Sequence, residues 1–191
     1  MAGRSLGISR RRRWTPRALA VLALASAGGA DAQDMPDMPK VAPSPIACPA
    51  TPAALPAELA GWNPRTALSA GADARSAARL EPGRAVDGGL RATPQVRFAL
   101  RPEKPGGSVS FGGIYAFSVK AAGKYRVALG SAAWIDVVKD GAAVTSIAHG
   151  HGPDCSGIRK MVDFTLEPGE YLLQISANPE AKLPLLVTRL P

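Results

Sequence analysis

Residues 148–157, AHGHGPDCSG, hold both histidines of this 191-residue chain and one of its two cysteines. On an extended strand His149 and His151 share one face with Thr145 and Ile147. Their Cα atoms then lie roughly 6.5–7 Å apart, within reach of one ion. Asp154 adds an oxygen donor and Cys155 a thiolate. Two histidines with a carboxylate make the donor set of a non-haem Fe(II) centre, whereas two histidines with a thiolate suit zinc or copper. Iron, zinc and copper are therefore the candidate ions, and His149, His151 and Asp154 the candidate ligands. The pattern singles out no one cofactor.

A second reading competes for the cysteine. Arg4, Arg10 to Arg13 and Arg17 precede an apolar run from Ala18 to about Ala27, and Ala30-Asp31-Ala32 follows as an A-x-A cleavage pattern. This is the layout of a secretory signal peptide over residues 1–32, for ordinary Sec export to the periplasm or beyond, with the arginine pair before Trp14 leaving the twin-arginine route as the alternative. The run is shorter than the roughly 20 residues a membrane span needs, and no later segment is longer. In an exported chain disulfides persist, and Cys48 is the other cysteine. A Cys48–Cys155 bond would close a loop of more than a hundred residues and contribute about 4–5 kcal/mol in the chain-entropy account. A free, metal-bound or intermolecular Cys155 is the alternative.

The net charge of +8 shrinks once the leader is set aside, since residues 1–32 hold six of the 23 basic and one of the 15 acidic residues. The rest is scattered and lacks interleaved aromatics, which argues against nucleic acid as a partner. Residues 33–56 are rich in Pro and Ala and read as an extended tether. Met35 and Met38 within it could offer thioethers to Cu(I), although a plain linker accounts for them. There is no GxSxG elbow, P-loop or GxGxxG.

Residues 57–191 must position these groups. Short helices are expected within 53–78, in PAELAGW and ADARSAARL. From residue 94 the pattern is one of short alternating strands. Tyr115, Phe117 and Val119 alternate, as do Tyr125, Val127 and Leu129, then Val162, Phe164 and Leu166, then Tyr171, Leu173 and Ile175. Asp140-Gly141 predicts a tight hairpin pairing Ala133–Val138 with Ala143–Ala148. Pro168-Gly169 predicts a type II turn. VRFAL (96–100) and LPLLVTRL (183–190) complete about eight strands, Pro184 pointing to an edge position for the last. An antiparallel β-sandwich or jelly roll follows. Trp134 and the three tyrosines, each in a Gly-x-Tyr, serve either as core packing or as a platform for stacking carbohydrate.

AGKYRVAL and EPGEYLLQI resemble the paired strands of bacterial pre-peptidase C-terminal domains, small exported jelly-roll modules that accompany other activities. The longer run GKYRVALGSAAWIDVVKDG with AHGHGPDCSGIRKMVDFTLEPGEYLLQI resembles, over about residues 47–190, short exported bacterial proteins grouped with homogentisate 1,2-dioxygenase. That resemblance implies a cupin-type iron enzyme that opens an aromatic ring, its iron held by two histidines and a glutamate. Only His149 and His151 carry over. The cupin motif wants Gly six residues before the first histidine, where Ala143 stands, and Glu where Cys155 or Ser156 stands.

Taken together, the residues favour an exported periplasmic β-sandwich that binds a cell-envelope component or small ligand without doing chemistry itself. A metal-dependent dioxygenase using His149 and His151 is the first alternative, and a periplasmic copper-binding protein the second.

Overall fold

The computed structural model describes Cys48, Pro49 and residues 54–191. The expected leader, most of the tether, and Met35 and Met38 lie outside the described residues. No helix among the described residues is long and apolar enough to cross a membrane.

Twelve strands form two mixed sheets. They are β1 (Thr66–Ser69), β2 (Ala78–Arg79), β3 (Val86–Gly89), β4 (Arg91–Ala92), β5 (Phe111–Val119) and β6 (Gly123–Leu129). β7 (Trp134–Lys139), β8 (Ala142–Ala143), β9 (Ser146–Gly150), β10 (Lys160–Leu166), β11 (Gly169–Asn178) and β12 (Lys182–Arg189) follow. The first sheet runs β1-β3-β12-β6-β10-β9. The second runs β2-β5-β11-β7-β8, with β4 also on β5. The alternating residues of the long strands interleave between them: Phe117, Val127, Phe164, Leu173, Leu185 and Val187 are all buried in one core, where Phe117 stacks on Tyr171 at 5.5 Å. This is a β-sandwich.

Several expectations need correcting. The sheets are not wholly antiparallel: β1 runs parallel to β3 and β2 parallel to β5. The chain from Ala70 to Ala85 detours through the second sheet between β1 and β3, which supplies the crossover that parallel neighbours require. The extra strands come from residues 66–92. The helical expectation there survives only as short 3-10 segments, Ala57–Trp62 and Ala74–Ser76.

VRFAL is not a strand. Ala99 and Leu100 donate their backbone N–H groups to Gln174 Oε1, and Gln174 Nε2 returns a bond to the Leu100 carbonyl. A buried side-chain amide thus takes the place of a ladder. β12 is no edge strand either, since it lies between β3 and β6. Pro184 is tolerated because its carbonyl meets Gly130 N, just past the end of β6. On that side its missing N–H breaks no ladder bond.

Asp140 (φ 51°) and Gly141 (φ 78°) do make the left-handed turn. The hairpin ends after Val138↔Ala143 and Lys139↔Ala142, however, and β9 joins β10 in the opposite sheet. Gly169, with φ 147°, is not in type II geometry, and the chain changes sheets there too.

Each sheet also needs its outer face covered. On the first sheet Leu59 and Trp62 of the 3-10 segment pack on Ala128, Ile158 and Leu186, joined by Leu55. Beside them Arg126 forks onto Asp163 at 2.7 and 2.8 Å, with Glu58 3.7 Å away. That paired carboxylate pushes the guanidinium pKa up. Cys48 is bonded to Cys155, with Cα atoms 5.5 Å apart, and Trp62 Nε1 donates to the Ser156 carbonyl at 3.0 Å. The N-terminal cover is therefore fastened to the 153–157 turn. With the cysteines 107 positions apart in sequence, replacing both by alanine is expected to cost about 4–5 kcal/mol. Urea unfolding with and without reductant measures this, and an unchanged midpoint would show that the bond restrains nothing.

Candidate functional site

The two sheets part where β9 ends one and β8 the other. A cleft of about 660 Å³ opens there, its floor made by Ile135, Val144, Val162 and Phe164 at the margin of the core. Trp134, Asp136, Lys104, Lys160, His149 and His151 complete its walls.

Different segments place these groups. β7 points Ile135 and Val137 into the core, so the pleat puts Trp134 and Asp136 on its other face. The indole Nε1 donates to Asp136 Oδ1 at 2.9 Å, while Oδ2 is buried with no hydrogen-bond partner. Burial is the main cause that pushes the Asp136 pKa up, against the indole bond, which lowers it.

On β11, Ser176 lies beside Trp134 and takes the Lys104 carbonyl at 2.8 Å. That contact and the Gln174 amide hold residues 99–104 over the second sheet, and Lys104 Nζ comes to 5.2 Å from the Trp134 ring centroid. Lys160 reaches across from the first sheet. Its Nζ donates to the Ala133 carbonyl at 2.8 Å and lies 5.3 Å from the same centroid. Burial, and next the neighbouring Lys104, push the Lys160 pKa down.

The histidines sit across the mouth. His149 pairs with core-facing Val162 on the edge strand β9. A bulge opposite Asp163 and Phe164 breaks the expected phase, because an inserted residue shifts every later side chain by one. Ile147 is thereby left half exposed and outside the cleft, and only Thr145 of the other expected partners lines it with the histidines. His151 Nδ1 lies 2.9 Å from the Arg159 carbonyl. A carbonyl only accepts, so Nδ1 carries the hydrogen. The turn that follows is tight. A Cβ on Gly152 would stand 2.4 Å from Ile158 Cβ, so glycine is required there.

This turn separates the expected ligands. His149 and His151 line the cleft, but Asp154 lines another hollow, of about 150 Å³, with Leu55 and Asn63. Cys155 is spent on Cys48. Among the described residues no three His, Cys, Asp or Glu side chains gather as a metal site. The iron centre implied by the resemblance to homogentisate 1,2-dioxygenases does not fit, for want of the third donor. The tyrosines form no carbohydrate platform: Tyr115, Tyr125 and Tyr171 are all in the core. Buried Tyr125 and Tyr171 send their hydroxyls to the carbonyls of Ala121 and Glu167.

Sequence reading missed Lys104 and Lys160. Their only local sign was the i,i+2 spacing of Trp134 and Asp136, which puts an indole N–H beside a carboxylate on one strand face. A second cleft, of about 580 Å³, holds Arg79 and Arg189. There Arg79 is engaged by Ser118 and Glu170, and Arg189 by the Ala122 carbonyl. The Ser118 hydroxyl, and next Arg79, hold the Glu170 carboxyl below its ordinary range.

Neither the scan of protein-family models nor the search of curated proteins returns a match to this chain.

The raised Asp136 pKa yields a signed expectation. The folded state releases this proton less readily than the unfolded chain, so the charged carboxylate costs stability above that raised value. Asp136→Asn keeps an acceptor for the indole and removes the charge. Near neutral pH it should stabilise by about 0.5 kcal/mol, since solvent screening limits the gain at a partly buried site. The gain should vanish as pH falls below the ordinary 3.8, and urea midpoints across that range test it. A gain that persists in acid would mean that the charge is not its cause.

Proposed function

We propose that the protein is an exported, non-catalytic binding or accessory module, whose ligand is a small polar molecule or a cell-envelope component held in the cleft between β7 and β9. One observation carries the reading. The cleft combines an apolar floor with a few polar groups, each anchored by a second contact, which is the make-up of a ligand site. The Arg-rich leader pattern of residues 1–32 and the Cys48–Cys155 bond support export.

A rival reading, a metal-dependent oxygenase or copper carrier using His149 and His151, has one contact in its favour. Metal-binding histidines commonly anchor their second ring nitrogen on a carbonyl, as His151 does on Arg159. Paired substitution of His149 and His151 by alanine separates the two. The binding-module reading expects metal content after periplasmic expression to be unchanged, and a shift of less than about 0.5 kcal/mol for such exposed side chains. It also expects solubilised envelope polysaccharide to perturb backbone NMR signals of the cleft. Stoichiometric iron or copper lost in the double variant, or oxygen uptake by iron-loaded protein, would overturn it.

A further inference from the structure

Two ammonium groups, on Lys104 and Lys160, stand within 5.3 Å of one indole centroid. Lys104 comes from the segment lying over the second sheet, its backbone fixed by Ser176, and Lys160 comes from β10 of the first sheet, its Nζ donating to the Ala133 carbonyl. Each ammonium group rests on the same indole, so the two positive charges share one aromatic surface. Among the described residues neither makes an ion pair, whereas Arg65, Arg79, Arg84, Arg97 and Arg126 all do.

Two carboxylates, Glu103 and Asp136, line the cleft with them, and neither forms an ion pair with Lys104 or Lys160. Asp136 gives one oxygen to the indole and buries the other. With Arg159, three cationic side chains face these two carboxylates, and two of the cations share one aromatic surface beside an apolar floor. A bound anion would offset the repulsion between the lysines while accepting from ammonium protons that the protein leaves unused.

We propose that the cleft recognises an oxyanion, a carboxylate or phosphate group on its ligand, through Lys104 and Lys160 at the Trp134 indole. The inference rests on the binding-module reading and names the ligand chemistry of that site. The indole N–H bond to Asp136 then reports occupancy, because an anion drawn to the two lysines changes the field at Trp134.

The test titrates the full chain with galacturonate, galactose and inorganic phosphate. It follows the Trp134 indole N–H resonance, assigned by its loss in Trp134→Phe. Galacturonate, phosphate or both should shift the signal, and which of them does so distinguishes a sugar carboxylate from a phosphate group. Added salt should weaken the effect. Lys104→Gln and Lys160→Gln should each weaken binding about tenfold, and Lys160→Arg, which keeps the charge if the glutamine variant folds poorly, should retain it. Silence towards both anions, or affinity unchanged in both glutamine variants, overturns the proposal. Galactose acting as well as galacturonate overturns it too but leaves the binding-module reading standing, whereas metal-dependent turnover would remove that reading as well.

Discussion

Contact between the apolar faces of two sheets is the constraint on which the rest of this molecule depends. Each long strand carries its large residues at every second position. Those residues are satisfied only when β5, β7 and β11 close over β6, β10 and β12. That closure leaves two outer faces and one open mouth. A 3-10 segment covers the first sheet and residues 99–104 cover the second. The mouth, where β8 is too short to follow β9, becomes the cleft.

The cleft inherits its chemistry from these structural duties. Lys104 arrives because the covering segment hydrogen-bonds to Gln174 and Ser176, both buried polar residues of β11. Lys160 arrives because β10 starts at the mouth, where a core-facing position meets water. Trp134 gives both ammonium groups an aromatic surface, a contact that holds a cation without neutralising it. The result is a pair of lysines on one indole beside an apolar base.

Much of the sandwich is legible in the sequence, because alternation is a local property. Tyr115 to Val119, Tyr125 to Leu129 and Tyr171 to Ile175 each state their own period. Sheet membership is not local. Asp140-Gly141 announces a turn, yet nothing near it says that β9 will leave its hairpin partner for β10. VRFAL alternates like a strand, but its hydrogen-bonding partner is a glutamine more than seventy residues away. The site follows the same rule. The His-x-His spacing is visible, but the turn that carries Asp154 away from it is set by the close approach of Gly152 to Ile158 and by the bond to Cys48. Lys104 and Lys160 become neighbours only through the tertiary fold.

The central place of β12 has a consequence for assembly. β1 and β3 reach β6, β10 and β9 only through it. Until residues 182–189 have emerged from the ribosome or a translocation channel, the first sheet exists as two unconnected ribbons. The first sheet is therefore completed only when this C-terminal strand docks between β3 and β6.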